Sequence, residues 1–237
     1  MDSLTAMAAS GMRSRMESLD LLANNIANAS TGGFKADREF YSLYSEYGND
    51  ATMPVVQKPY TDMSQGTLQG TGNQLDLALS GTGYFTVQGP NGPLYTRNGN
   101  FRLDTSGNLT SAEGYAVQGT TGKPLTFSGK QPIEVSGDGT VTQNGKVIGQ
   151  LQVSDFTSTA GMAKHGNNYF KISDPAAVVK APSATSVQQG QLEASNTGTA
   201  ESAVRLVNVM RQFEMLQKAA TMGADMDKQA IEQVAKV

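Results

Sequence analysis

The side chains that could do chemistry are few. Of 237 residues only one is histidine, His165, and there is no cysteine or tryptophan. Thiolate zinc sites, Cys–His pairs and clustered imidazole ligands are therefore excluded. Two carboxylates suffice for glycoside hydrolysis, and Asp104, Glu113 and Glu134 are available, but they fall in short β-rich runs without an aromatic platform. Gly70/Gly72 and Gly81/Gly83 imitate the start of a dinucleotide fingerprint, yet no third glycine and no helix follow. Asp138-Gly139 lacks the dense carboxylates of a calcium loop and reads as a turn. Asp76 and Arg97, each beside a glycine-rich turn, are expected either as a salt bridge or as two solvated charges, and His165 as a solvated loop residue. No catalytic residue, cofactor or metal site is expected.

With 18 Lys+Arg against 21 Asp+Glu the net charge is -3, so nothing favours nucleic acid as a partner. No run of about 18 apolar residues is present, so no direct membrane span is expected. Asp2 comes first, and Arg13, Arg15, Glu17 and Asp20 interrupt the N-terminal stretch. A cleaved Sec signal is not expected; the chain either stays in the cytoplasm or leaves by a route that reads a retained N-terminus.

Two elements must carry whatever the chain does. Thr5, Ala9, Met12, Met16, Leu19, Ala23 and Ile26 recur at helical spacing, with Leu4, Ala8 and Leu22 beside them, which predicts an amphipathic helix ending before Gly32-Gly33. Those glycines suit the left-handed residue of a helix C-terminus, and Asp2 suits the helix dipole at the other end. Ala203, Leu206, Met210, Phe213, Gln217, Ala220, Ala224, Asp227, Ile231 and Val234 form a heptad line in a second, long helix, capped by Asn196, Thr197 or Thr199. Between the helices the period falls to two: Leu75, Leu77 and Leu79 alternate with Asp76 and Ala78, and Asn98-Gly99, Ser106-Gly107, Asp138-Gly139 and Asn144-Gly145 punctuate short runs. Thr140–Gln143 and Lys146–Val153 make a hairpin about Asn144-Gly145.

The expected fold is α+β. Residues 1–30 and 199–237 form a discontinuous, coiled-coil-like helical domain. Residues 31–65, with Tyr41, Tyr44, Tyr47 and Tyr60, form an extended connector, and residues 66–198 a central antiparallel all-β domain, a sandwich or irregular barrel. A β domain of this size has little room for two apolar stripes, so the helices are expected to pair and to leave outer faces for other subunits. Eight of the eleven methionines lie in or beside them, and thioethers adapt to contacts that are not identical. The expected subunit-interface residues are Met12, Met16, Leu19, Leu22, Asn24, Asn25, Ile26 and Asn28 in the first helix. In the second they are Leu206, Val209, Met210, Phe213, Leu216, Ala220 and Ile231, with Phe213 the least tolerant of a charge. Asn24, Asn25 and Asn28 either cap the fraying helix end or form an inter-subunit patch; three amides in five residues exceed what one cap uses.

Three blocks of sequence now become specific. Residues 23–35, ANNIANASTGGFK, resemble the N-terminal signature of bacterial flagellar rod and hook proteins. Residues 75–87, LDLALSGTGYFTV, continue through YTRNGNF at 95–101 and resemble the family's central segment. LEASN at 192–196, followed by Val204 and MRQFEM at 210–215, resembles its C-terminal block. The blocks stand in family order. The short length, the compact connector and Arg211–Met215 are similar to proximal rod members, and distal members share all three blocks. Thr197-Gly198-Thr199 departs from the pattern, in which a β-branched residue is followed by Asn or Asp.

The resemblance implies a structural subunit of the flagellar basal body, synthesised in the cytoplasm and exported unfolded by the flagellar type III apparatus without signal cleavage. It implies a helical tube, in the periplasmic rod region, whose terminal helices line a channel and whose β domain faces outward. The implied partners are copies of the chain, neighbouring rod proteins and the export apparatus. A carbohydrate-binding β module with helical stalks and a cell-wall glycan hydrolase are the competing readings.

Overall fold

The structure is a computed structural model that describes residues 3–45, 52–129, 131–158, 161–166, 168–173, 177–180 and 184–234. Asp2 and Tyr47 lie outside them, as do the side chains of Leu4, Thr5, Tyr41, Tyr44, Asp227 and Val234. Helix α1 spans Ser3–Ala27 and helix α2 spans Thr199–Val234. The second runs 36 residues without a break, about 54 Å at 1.5 Å per residue. Gly223 is its only glycine and no proline interrupts it. Glu201 occupies its first turn, where a carboxylate complements the dipole, and pairs with Arg205 one turn on at 2.8 Å. At its start the Ser202 N–H donates to the Gly198 carbonyl at 2.9 Å, so Gly198 stands where Asn196, Thr197 or Thr199 was expected. Asn196 instead sends its side-chain amide to the Ser64 carbonyl.

The chain divides into two compact units: Met1–Ala29, Ala36–Met63 and Thr197–Val237 in the first, Ser30–Lys35 and Ser64–Asn196 in the second. In the first unit α1 packs on α2 and on an antiparallel ribbon made of β1 (Asp37–Ser45) and β2 (Thr52–Thr61). This ribbon occupies the stretch expected to be an extended connector. Its register pairs Asp37 with Thr61 and Ser45 with Thr52, shifting between Arg38 and Phe40. Asn25 ties α1 to it at two points: Nδ2 donates to the Asp37 carbonyl at 2.8 Å, and Oδ1 accepts the Asp37 N–H at 3.0 Å. The Ser18 hydroxyl donates to the Glu39 carboxylate.

The apolar line predicted for α1 is not the line that packs. Ala8, Gly11, Ser14, Ser18, Leu22 and Asn25 are buried, whereas Ala9, Met16 and Ala23 are exposed. Small residues bring the α1 backbone close to its neighbours: a Cβ on Gly11 would sit 3.1 Å from Leu216 Cδ1 of α2. The α2 line is corrected as well. Leu206, Val209, Phe213, Leu216, Ala220 and Gly223 are buried or half-buried, while Met210, Gln217 and Ala224 are exposed. The spacing of three and four survives, with Val209, Leu216 and Gly223 in place of the residue that follows each.

The second unit is antiparallel β throughout. Its largest sheet has nine strands and runs, in spatial order, Met162–His165, Tyr169–Ile172, Gly92–Thr96, Tyr84–Gly89, Ala116–Val117, Leu109–Thr110 and Arg102–Leu103. Val153–Phe156 pairs on one side with Tyr84–Gly89 and on the other with Val178–Lys180. A three-stranded sheet joins Ile133–Val135, Thr140–Gln143 and Lys146–Gln150. Its hairpin turns at Asn144-Gly145 with φ of 53° and 73°, the positive pair a two-residue turn requires. Leu77–Ser80 pairs with Ser186–Gln189, and Leu68–Gly70 with Gln191–Glu193. The core gathers Leu77, Leu79, Phe85, Val87, Val117 and Val141. The alternation at 75–79 does not mark one wet face, because Asp76 and Ala78 are buried too. His165 ends a strand, paired with Tyr169, and is exposed.

Candidate assembly surface

Helix α2 presents two apolar faces. At 100° per residue, Leu206, Phe213 and Ala220 fall on one side, the side turned to α1, while Val204, Met215, Met222 and Met226 lie within about 40° of one another on the opposite side. Val204, Met215, Met222 and Met226 are 62, 61, 65 and 66% exposed, and Val207 flanks them. Arg211 and Lys218 lie on this side as well, both exposed. On α1 the counterpart is Ala9, Met16 and Ala23, with Arg13 and Asp20 between them. A helix that is apolar on opposite sides has more to cover than one neighbour can reach.

The expected interface residues divide between the two kinds of surface. Leu206, Val209, Phe213, Leu216 and Ala220 come together within one chain, on the α2 line facing α1. Leu22 is on the buried line of α1, and Met12, Leu19 and Ile26 are half-buried at its border. Met16, Asn24, Met210 and Ile231 are exposed. Asn25 is engaged by the ribbon. Asn28 donates to the Asn24 carbonyl at 3.0 Å and to its side-chain oxygen at 2.8 Å, which satisfies acceptors at the helix end. Met215, Met222 and Met226, which recur at 7 and 4 residues and are exposed, lie outside the set expected from sequence.

In the β unit the charges of the signature blocks converge. Lys35 Nζ donates to Glu193 Oε1 at 2.5 Å and to the Ser64 carbonyl at 2.6 Å. Arg97 Nη1 donates to Glu193 Oε2 at 3.1 Å and Nη2 to the Gly81 carbonyl at 2.7 Å. The Gly66 N–H also donates to Glu193 Oε1, at 3.0 Å. The Lys35 and Glu193 side chains have no exposed surface. Buried charges persist only when paired and hydrogen-bonded, and each of these three is. Arg97 is thus neither solvated nor bridged to Asp76. Asp76 is buried among Thr71, Asn73 and Asn100, which donate to its carboxylate. Gly33 lies beyond the helix end and serves a different purpose from the cap expected of it. Its φ is +68°, and a Cβ would stand 2.5 Å from the Arg97 carbonyl carbon.

The Arg97 guanidinium lies 5.2 Å from the centroid of the Tyr84 ring. Burial pushes the Tyr84 hydroxyl up from 10.0 to about 12, with Arg97 pulling the other way. Burial and a hydrogen bond to Glu113 raise Tyr169 as well. The carboxyls of Asp104 and Asp138 are held below their usual range by turn hydrogen bonds from Asn108 and Thr140 respectively. Among the described residues no group of three or more His, Asp or Glu side chains could hold a metal ion, and no helix is long and apolar enough to cross a membrane. The geometry on the page is a packed β core in one unit and an exposed apolar face on α2 in the other.

Comparison with known proteins agrees. Residues 6–35 match the flagella basal body rod protein family, residues 78–146 the flagellar hook protein FlgE/F/G D1 domain, and residues 188–233 the flagellar basal body rod FlgEFG protein C-terminal family. The flagellar basal-body rod protein FlgF of Caulobacter vibrioides is 30% identical over 247 aligned positions, covering 100% of both chains. FlgF of Mesorhizobium japonicum is 31% identical with 83% of each chain covered. The flagellar basal-body rod protein FlgG of Borreliella burgdorferi is 30% identical over 90% of this chain and 91% of its own. With the three signature blocks placed in the fold and relatives of this identity spanning nearly the whole length, the chain belongs to the flagellar basal-body rod protein family.

Proposed function

We propose that the chain is a self-assembling subunit of the rod, most like its proximal members, which builds a helical tube by packing the outer faces of α1 and α2 against copies of itself and neighbouring rod proteins. The observation that carries this is the apolar stripe Val204–Met215–Met222–Met226, left uncovered on the side of α2 away from α1. Methionine suits it, because adjacent contacts in a helical array are not all alike. The intrachain pairing of Leu206 and Phe213 makes each subunit a two-helix element, coiled-coil-like in its spacing, and the tube a bundle of such elements. Export through the flagellar type III apparatus without signal cleavage, residence in the periplasmic rod region and transmission of torque follow from the same reading. The short length, the compact connector and Arg211–Met215 support the proximal assignment; a distal rod or hook-type subunit is the alternative.

The test is a double substitution, Met222→Asp with Met226→Asp. Both side chains are exposed in the single chain, so its circular dichroism should not change, while rod assembly and swimming are lost. Normal motility with both aspartates in place would refute the placement.

A further inference from the structure

Residues 30–35 take part in no strand of any sheet, and Phe34, although buried, is not a member of the core cluster. They are nonetheless held along their length. The Gly32 carbonyl accepts from Asn168 Nδ2 at 2.7 Å, and the Gly33 N–H donates to the Glu193 carbonyl at 2.7 Å. The Phe34 carbonyl accepts the Asn196 N–H at 3.3 Å, and Lys164 Nζ donates to the Lys35 carbonyl at 2.7 Å while lying 4.6 Å from the centroid of the Phe34 ring. At the end of the segment Lys35 enters its socket of Glu193 and the Ser64 carbonyl.

That socket is balanced without it. Glu193 already faces Arg97 and the Gly66 N–H, so carboxylate and guanidinium form a neutral pair inside the β body. Lys35 adds a second cation that belongs to the segment. Without it Glu193 still has Arg97 and the Gly66 N–H, and among the described residues the segment supplies no strand and no member of the core cluster. We propose that residues 30–35 are a strap that closes on an already folded β body, with Lys35 as its latch. Opening the strap frees the Gly33 and Asn196 amides while the sheets stay shut, and closing it fixes the residues leading out of α1 onto the strand that leads into α2.

Native-state hydrogen exchange of the full chain tests this. The Gly33 and Asn196 amides report the strap; those of Thr86 and Gln118, bonded to the Gln152 and Thr86 carbonyls, report the body. In the unaltered protein the strap amides should exchange through a local opening about tenfold or more faster than the body amides and with weaker urea dependence. Lys35→Met should speed the strap amides by about a further tenfold and leave the body amides unchanged. The idea is overturned if all four amides open together in the unaltered protein. It is equally overturned if Lys35→Met leaves the strap amides where they were or speeds all four alike.

Discussion

Replacing Glu193 by glutamine should be among the most damaging single changes available in the β unit, and far worse than replacing Lys35. The carboxylate accepts from Lys35 Nζ, Arg97 Nη1 and the Gly66 N–H. A glutamine keeps one acceptor oxygen for Lys35 and Gly66, but its NH2 group then meets the Arg97 guanidinium, donor against donor. Both buried cations lose the counter-charge that Glu193 supplies. Breaking a buried ion pair from one side costs about 3–5 kcal/mol, and the loss of two such pairs at once places Glu193→Gln toward the top of that range. Lys35→Met is different in kind. The Ser64 carbonyl keeps the Asn196 side-chain amide at 3.2 Å, Glu193 keeps Arg97 and Gly66, and the cluster becomes neutral. Its cost is about 1–2 kcal/mol, the value of lost charge-assisted hydrogen bonds whose acceptors, the Ser64 carbonyl and Glu193, keep other donors. Urea denaturation followed by hydrogen exchange at the Thr86 and Gln118 amides reads the β unit, since both are bonded to carbonyls inside it. A Lys35→Met variant as unstable as Glu193→Gln would refute the reasoning, because the cluster would then be a set of equal pairs and not a neutral pair plus a guest.

Other expectations rest on single contacts. Gly33→Ala places a Cβ against the Arg97 and Asn98 backbone at positive φ, and should cost about 2–4 kcal/mol in the same denaturation assay. Leu216→Ala should destabilise the helical unit by about 1–2 kcal/mol and Met210→Ala by under about 0.5, with far-ultraviolet melting as the readout; the reverse order would restore the seam drawn from sequence. Asn25→Ala removes both bonds to the Asp37 backbone and should cost about 1–3 kcal/mol, seen as faster hydrogen exchange at Asp37. Tyr84 is neutral in the folded state up to about 12 but ionises near 10.0 when unfolded. Its contribution is therefore complete below pH 10.0 and lost as the pH rises through 12, on the order of 2 kcal/mol, and Tyr84→Phe should flatten that part of the alkaline stability profile.

The two helices, the hairpin at Asn144-Gly145 and the antiparallel β centre were legible because each depends on residues close in sequence. The side of α1 that packs was not. A reading by hydrophobicity follows Met12, Met16 and Leu19, whereas the packed line contains Gly11, Ser14 and Ser18, chosen for size and hydrogen bonding. On α2 both 203–206–210–213 and 202–206–209–213 satisfy spacings of three and four, and only the partner helix decides between them. The ion cluster was out of reach for another reason. Lys35 and Glu193 are 158 residues apart, and neither carries a local sign of burial. Arg97 stands beside a glycine-rich turn, as Asp76 does, and sequence leaves open whether the two pair or are solvated; its actual acid, Glu193, is 96 residues away.

The small residues on the packed side of α1 invert the usual rule for which substitutions a helix contact tolerates. Truncation finds little there to remove, since Ala8, Gly11, Ser14 and Ser18 carry few carbons; enlargement acts as a wedge, because the nearest Leu216 carbon already stands 3.1 Å from where a new carbon on Gly11 would go. A collection of random variants that still swim should therefore be poor in gains of volume at Ala8, Gly11 and Ser14, and richer in losses at Ala8 and Ser14 than in gains.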